Sequence, residues 1–438
     1  MHDALIKAAT QAIEIAKVAG AQDCSARTTR NQSSEFRVRK GELEKAQQNT
    51  QRSLSLSIYA DGRYSSHSTT DLRPDRLKAF VTEAVAMTRA LEQDPHRTIT
   101  DPSLFANIPT DDLDLIDPEV QALTAEKRLE LLKEIEASAL GHDRVISVEA
   151  QAYDGHSLGA AVSSNGFSGT WEGTSLWLGT KVAIQDEGDR RPQQTFFVGS
   201  PYLSDLPAPS DLGTQALNFS IERLGSTKGP TTTTTMVVHP RSAARLIGNL
   251  VRPNRARAIQ QSSSFWSDLK DSQAFTKHLT LIDMPLLPRG LASRHFDGEG
   301  IAARQLPIVE EGVVKNFYVD TYYGKKGGME PTTAGPSNLI VAPGNRDLSG
   351  IVADLEDGML ITGWLGGNSD ATTGEFSMGC QGHLIEGGKI GAPVHEMNVT
   401  GNLLELFTRL IEVGNDPWPY GSTLAPTLVF DAVQFSGA

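Results

Sequence analysis

His239 is the residue of this chain that its neighbours present most like a metal ligand. Val237-Val238-His239-Pro240-Arg241-Ser242-Ala243-Ala244-Arg245-Leu246 reads as an apolar strand running into a helix. A zinc peptidase uses such a helix to present a histidine, a glutamate beside it and a second histidine further along the same face. Hydrolysis at zinc needs about three protein ligands, an open position for water and a carboxylate to handle the proton. Here Pro240 follows the first histidine, and Ser242, Ala243 and Ala244 occupy the later positions. One imidazole cannot assemble that centre. A rearranged site would need His278, His295, His383 or His395 to converge on His239, and nothing in their spacing calls for it. Pro240 fits the first position of a helix, which makes His239 a strand end that caps or packs.

Other chemistry-bearing residues are weaker still. Ser377 lies in Gly374-x-x-Ser377-x-Gly379, one residue away from a nucleophile elbow, with no strand–turn–helix around it and no His–Asp pair to serve it. Gly298 to Ala303 matches GxGxxA, but Ser293-Arg294-His295 precedes it where an apolar strand belongs, and Pro307 follows too soon for a long helix. Glu310-Glu311, Asp111-Asp112 and Asp354 to Asp357 are paired only in sequence. Adjacent residues of a strand face opposite ways, so solvated turns account for them. Cys380 has no activating neighbour and is expected to be a small buried hydrophobe. Trp364 and Trp418 are aromatic contacts of either a core or a peptide.

The elements that position these residues follow from periodicity. Met1 to Gly20 carries Leu5, Ala9, Ala12, Ile13 and Ala16 at helical spacing, without the unbroken apolar run of a signal peptide. Asp23–Lys40 and Glu44–Thr69 alternate as strands, with Asp61-Gly62 as a hairpin turn. Pro74 to Leu91 and Thr124 to Leu140 read as helices, and the Asp- and Pro-rich stretch from Asp94 to Pro118 as a surface connection. Val145 to Val198 reads as long hairpins, with Trp171, Leu176, Trp177 and Leu178 as packing residues. A helix ends near Arg223, and the Gly225–Thr235 stretch is the expected boundary between an N-terminal α+β domain (1–224) and a β-rich C-terminal domain (225–438). In that second half, helices are expected at Ser242–Leu250 and Asn402–Val413.

Composition narrows the function. A formal charge of −13 without a sustained basic run argues against nucleic acid as a partner. Two isolated cysteines, Cys24 and Cys380, suit a reducing cytoplasm, and no stretch is apolar enough to span a membrane.

Several stretches of the second half, taken in order, resemble the TldD/PmbA family, also called the modulator of DNA gyrase family. They are Phe296-Asp297-Gly298-Glu299-Gly300, Tyr318 to Lys326, Ser337 to Gly344, Gly374-Glu375-Phe376-Ser377-Met378-Gly379, Gly382 to Ile390, Pro393 and Gly401-Asn402-Leu403. The likeness covers roughly residues 225–438, and over the first half only the order of elements agrees. One branch of the family carries an HExxxH zinc helix and a later cysteine ligand; the other, TldE or PmbA, lacks them and pairs with the first. This sequence is similar to the second, with Pro240 in place of the glutamate, Ala244 in place of the second histidine and no cysteine after Cys380. The resemblance implies a zinc-less subunit with no catalytic residue, metal ligand or cofactor of its own. Its partner would be an HExxxH-bearing paralogue that holds the zinc, with a homodimer as the other arrangement, and the pair would process small unstructured peptides. Candidate peptide-groove positions are Tyr322, Asn338, Gly367, Asn368, Gly374, Phe376 and Ser377. A regulatory binding protein, acting on a gyrase or a toxin–antitoxin system without hydrolysis, is the alternative.

Overall fold

The computed structural model describes residues 1–438. The first half is built on an antiparallel sheet of unusually long strands. Helix α1 (His2–Val18) leads into β1 (Asp23–Arg39), β2 (Glu42–Ala60) and β3 (Arg63–Thr69), then α2 (Pro74–Arg89). After the 94–117 connection come α3 (Pro118–Gln121), α4 (Ala125–Ala139), β4 (Val145–Ser163), β5 (Ser168–Ile184), β6 (Gln193–Ser200) and α5 (Pro209–Ile221). The six strands lie in the order β3-β2-β1-β4-β5-β6. Because strand side chains alternate, the even-numbered residues of β1 share one face, buried at its two ends (Cys24, Ala26 and Thr28; Phe36 and Val38) and interrupted between them by Arg30, Gln32 and Ser34. Ala26 pairs with Leu56 and Val162 at one end, and Phe36 pairs with Ala152 at the other. Helices α1 and α2 cover the first end, packing Ala12, Leu77 and Val81 on Leu54, Leu56 and Ile58. Helices α4 and α5 cover the second, packing Leu132, Ile135 and Leu212 on Leu176, Leu178 and Val198. Strand β3 pairs only with residues 54–60 of β2, so residues 42–53 leave one edge of the sheet free.

The odd-numbered face carries Arg27, Ser55, Trp171 and Trp177. Both tryptophans are half-buried there, on the side away from Leu176 and Leu178. Alternation separates them from the helix-covered core to which a simple hydrophobic grouping assigns them.

The second half opens with β7 (Thr232–Val238), α6 (Pro240–Val251), α7 (Ala256–Gln260), β8 (Leu281–Asp283), β9 (Leu306–Glu310), β10 (Val313–Val314) and α8 (Thr321–Gly327). It continues with β11 (Leu339–Val341), α9 (Leu348–Ala353), β12 (Asp357–Trp364), β13 (Asn368–Ser369), β14 (Glu375–Glu386) and β15 (Lys389–Asn402). Helix α10 (Leu403–Thr408), β16 (Leu410–Val413), β17 (Thr423–Leu424) and β18 (Leu428–Ser436) complete the chain. Strands β12, β7, β18, β15 and β14 are hydrogen-bonded in that order, and β12 pairs with β14 to close the ring. A smaller sheet, β10-β9-β8-β11-β17, stands beside it. One core of 39 buried residues joins the two sheets to α6. The protein is thus α+β with a β-rich second half. The helix expected over Asn402–Val413 is shorter: Asn402 caps α10, and Leu410–Val413 turns away to pair with β18 as β16, burying Leu410 and Val413. No helix is long and apolar enough to cross a membrane.

The two halves meet where the 94–118 connection and residues 285–300 lie against the odd face of the large sheet. Arg289 donates its backbone N–H to Leu113, and Thr174 donates to Leu115. Phe296 sits on Gly169, where a Cβ would fall 2.5 Å from its ring. Trp418 completes the contact from the C-terminal side, edge-on to Phe196 at 5.8 Å.

Candidate functional site

His239 ends β7 and caps α6. The parallel pairing of β7 with β12 aligns Val238 with Ile361, and the His239 N–H donates to the Ile361 carbonyl at 3.0 Å. Its Nδ1 accepts from the Arg241 N–H at 3.2 Å, the bond expected of a helix cap. Pro240 is the first helical residue and Ala244 lies one turn on. Burial, reinforced by the neighbouring Arg241 charge, pushes the His239 imidazole down to about 4, so it stays neutral at physiological pH.

The surroundings are cationic. Arg241 lies over the Phe219 ring at 3.8 Å and donates Nε to the Thr362 carbonyl. Arg223, 3% exposed, donates to the carbonyls of Gly382 and Val394. Burial lowers both guanidinium groups to about 10, and Glu222 partly opposes it; both remain charged at neutral pH. His383 points Nε2 at the Glu222 carbonyl. His295 contacts the Asp111 carbonyl, and His278 is exposed. No group of three or more His, Cys, Asp or Glu residues stands close enough to hold a metal ion. Zinc does not fit here: the single imidazole spends Nδ1 on the helix cap, no set of three ligands gathers around it, and the two neighbouring arginines oppose a cation. Purified without a histidine tag and incubated with zinc, the chain is expected to retain less than about a tenth of an equivalent by elemental analysis, because one ligand cannot hold the ion. Near-stoichiometric zinc that disappears in His239→Ala would overturn that expectation.

Five of the candidate groove positions come together next to α6. Gly367 and Asn368 enter β13, which pairs Asn368 with Ser377 and Ser369 with Phe376. Gly367 (φ 98°) has no room for a side chain, since a Cβ would lie 2.1 Å from the Ser377 carbonyl oxygen. Gly374 (φ 83°) closes the turn on Asp370. Arg245 reaches from α6 to the Gly367 carbonyl, and Trp364 Nε1 donates to Ser242. Asn368 and Ser377 are exposed beside the outer edge of β13, whereas Phe376 is buried in the core. Ser377 Oγ meets only Asn398, with no histidine beside it. Tyr322 and Asn338 stand elsewhere. The Tyr322 hydroxyl donates to Asp94, under the Arg97 guanidinium. Asn338 is 1% exposed and straps the 284–293 turn through Met284, Ala292 and Ser293.

The remaining motifs are structural. Gly298 to Ala303 forms no helix. The Asp297 carboxylate accepts from the N–H groups of Glu299, Ile301 and Ala334 and from the Thr333 hydroxyl, pinning this loop. Burial pushes the Cys24 thiol up to about 11 and the Cys380 thiol up to about 12, which leaves both inert. Arg223 and Arg241 carry the electrostatics around His239, and neither is marked as functional by the sequence around it.

Family models for the PmbA/TldA metallopeptidase match residues 24–88 as domain 1, 118–224 as the central domain and 231–437 as the C-terminal domain. The large sheet spans the first two. The chain is 28% identical to Metalloprotease PmbA of Escherichia coli O157:H7 over 94% of its length and 91% of that protein's. It is 36% identical to a solved Bacteroides thetaiotaomicron protein named as a modulator of DNA gyrase, with a TM-score of 0.95 over 99% of this chain and 98% of that one. TldE from Thermococcus kodakarensis shares the fold at 18% identity, TM-score 0.87, over 98% of this chain and all of its own (100%). Sequence, sheet topology and domain order agree, and the chain belongs to the PmbA/TldD metallopeptidase family.

Proposed function

We propose that this chain is the zinc-less, non-catalytic subunit of a two-chain, cytoplasmic peptidase of the TldD/TldE type that processes small unstructured peptides. The observation that carries the reading is the state of the helix start: His239 Nδ1 is spent as a cap, Pro240 stands where the catalytic glutamate would be and Ala244 where the second histidine would be, and Arg223 and Arg241 fill the surroundings with positive charge. Water activation and cleavage then fall to an HExxxH-bearing paralogue. The chain's own part is to hold substrate. The outer edge of β13, beside Gly367, Asn368 and Ser377, offers backbone groups to an added strand, a mode that tolerates varied side chains.

Mixing the chain with such a paralogue is expected to shift both into one heterodimer peak by light scattering. Hydrolysis of an unstructured peptide should appear with that peak and survive His239→Ala in this chain. Two unmixed species would sink the proposal. The name of the Bacteroides relative keeps a second reading open, in which the protein binds a gyrase without hydrolysis; recovery of a topoisomerase and no peptidase in a pull-down would favour it.

A further inference from the structure

A cavity remains between the odd face of the large sheet and the 296–300 loop, away from His239. It has a volume of about 230 Å³ and is lined by Arg27, Ser57, Tyr59, Phe105, Phe167 and Glu299, among others. Arg27 and Gly298 also line a wider cleft of about 540 Å³ next to it, bounded by residues 112–116 and Trp171. The two spaces therefore adjoin at Arg27.

Arg27 is held there by construction. Gly159 lies opposite Trp171 across β4 and β5. A Cβ on Gly159 would fall 2.0 Å from the indole, so glycine is what lets Trp171 lie flat over β4 toward β1. The Arg27 guanidinium stacks on that ring at 4.1 Å, a favourable use of a planar cation. Yet it makes no hydrogen bond or ion pair with the protein. Burial pulls its pKa down, with Asp297 opposing and Arg294 reinforcing the shift. The nearby acids have donors of their own: Asp297 accepts four hydrogen bonds, Asp114 pairs with Arg289, and Glu172 pairs with His156. Arg294 spends its donors on Thr333, Gly335 and Pro336. Arg27 thus keeps its fork of N–H groups unspent at the wall of the cavity, and Arg97, stacked on the lining Tyr64 at 4.6 Å, is the other guanidinium nearby without a hydrogen-bond partner.

Glu299 is its counterpart. Its Oε2 accepts from the N–H and hydroxyl of Thr321 at 2.8 and 2.7 Å, while Oε1 has no donor from the protein. Burial raises its carboxyl above the ordinary range against the pull of the Thr321 bonds. The cavity thus offers one unspent cation, one half-spent carboxylate, hydroxyls, and apolar surface from Phe105 and Phe167.

We propose that this cavity binds a small zwitterion, an amino acid or dipeptide, with its carboxylate in a bidentate pair with Arg27 and its ammonium on Glu299 Oε1. A planar fork stacked on an aromatic ring suits a carboxylate, and recognition of both termini selects free short products over longer chains. The inference does not depend on a catalytic partner.

Calorimetric titration of the full chain with Ala-Ala tests it. Saturable binding is expected, and Ala-Ala amide and N-acetyl-Ala-Ala should each bind at least about tenfold more weakly, since each removes one charged hydrogen-bond partner. Arg27→Gln, with its thermal midpoint checked, should lose binding to a similar degree, and Glu299→Gln should lose the preference for Ala-Ala over N-acetyl-Ala-Ala. If Arg27→Gln does not fold, the ligand series on the unaltered protein decides. Absence of saturation, or equal binding of the amide, overturns the proposal. Inorganic phosphate competing as strongly as Ala-Ala overturns it too, by reducing the cavity to a plain anion site.

Discussion

Replacing Trp266 with alanine is expected to destabilise the C-terminal half by about 3–5 kcal/mol, the range for deleting a large buried aromatic side chain. Trp266 has no solvent exposure and donates Nε1 to the Leu250 carbonyl at 2.8 Å. It begins an aromatic series in which Phe275 lies 5.5 Å from Trp266, Phe407 lies 6.3 Å from Phe275, and Phe430 lies 5.3 Å from Phe407. That series links the end of α6 to α10 and β18. Deletion opens a void, removes the partner of the Leu250 carbonyl and loosens the last turn of the helix that His239 begins. Hydrogen exchange should rise first in α6 and β18, and the urea midpoint followed by circular dichroism should fall. A fall of less than about 1 kcal/mol would mean that the core collapses around the gap, an outcome at odds with its packing.

The second large effect belongs to the N-terminal half. Arg128 and Asp154 form a bidentate pair, 2.6 and 2.7 Å, with side chains 6% and 8% exposed. Arg128 also donates to the Leu123 carbonyl. Arg128→Ala leaves the Asp154 carboxylate buried without its cation, and breaking a buried pair in this way costs about 3–5 kcal/mol. The double replacement Arg128→Met with Asp154→Leu should cost much less than either single charge deletion, because it removes both desolvated charges together. A double-mutant cycle on urea midpoints checks this. Additive costs would show that the two residues do not act as a pair.

Local order was readable wherever a short period decides it. Leu77, Val81, Ala84, Val85 and Thr88 lie on the buried face of α2, as 3.6-residue spacing requires. Leu54, Leu56 and Ile58 are buried by the alternation in β2. The strand-to-helix step at His239 was legible too, because an apolar run meets Pro240 at the first helical position. The end of α10 was not: whether Leu410–Val413 continues a helix or joins a sheet depends on β18, which follows later in the chain. The same limit hid the second cavity. Arg27, Trp171 and Glu299 meet only through strand register and a loop from the other half, and although Glu299 lies in the family-like 296–300 stretch, nothing there points to Arg27 or Trp171. Tyr322 and Asn338 were grouped with the groove because they occur in family-like stretches, but the chain routes those stretches to Asp94 and to the 284–293 turn.

The free edge of β2 has a colloidal consequence. Residues 42–53 present an extended backbone with one side unpaired, and such an edge is a template on which identical chains can stack. What this segment sets against stacking is its composition: Glu42, Glu44, Lys45, Gln47, Gln48, Asn49, Gln51 and Arg52 are nearly all exposed, with Leu43 the one large apolar side chain among them. Mixed charge and strongly hydrated amides keep the ribbon in water. Apolar substitutions among these dozen residues, distant in sequence from His239, are therefore expected to make concentrated solutions of the protein aggregate without unfolding it.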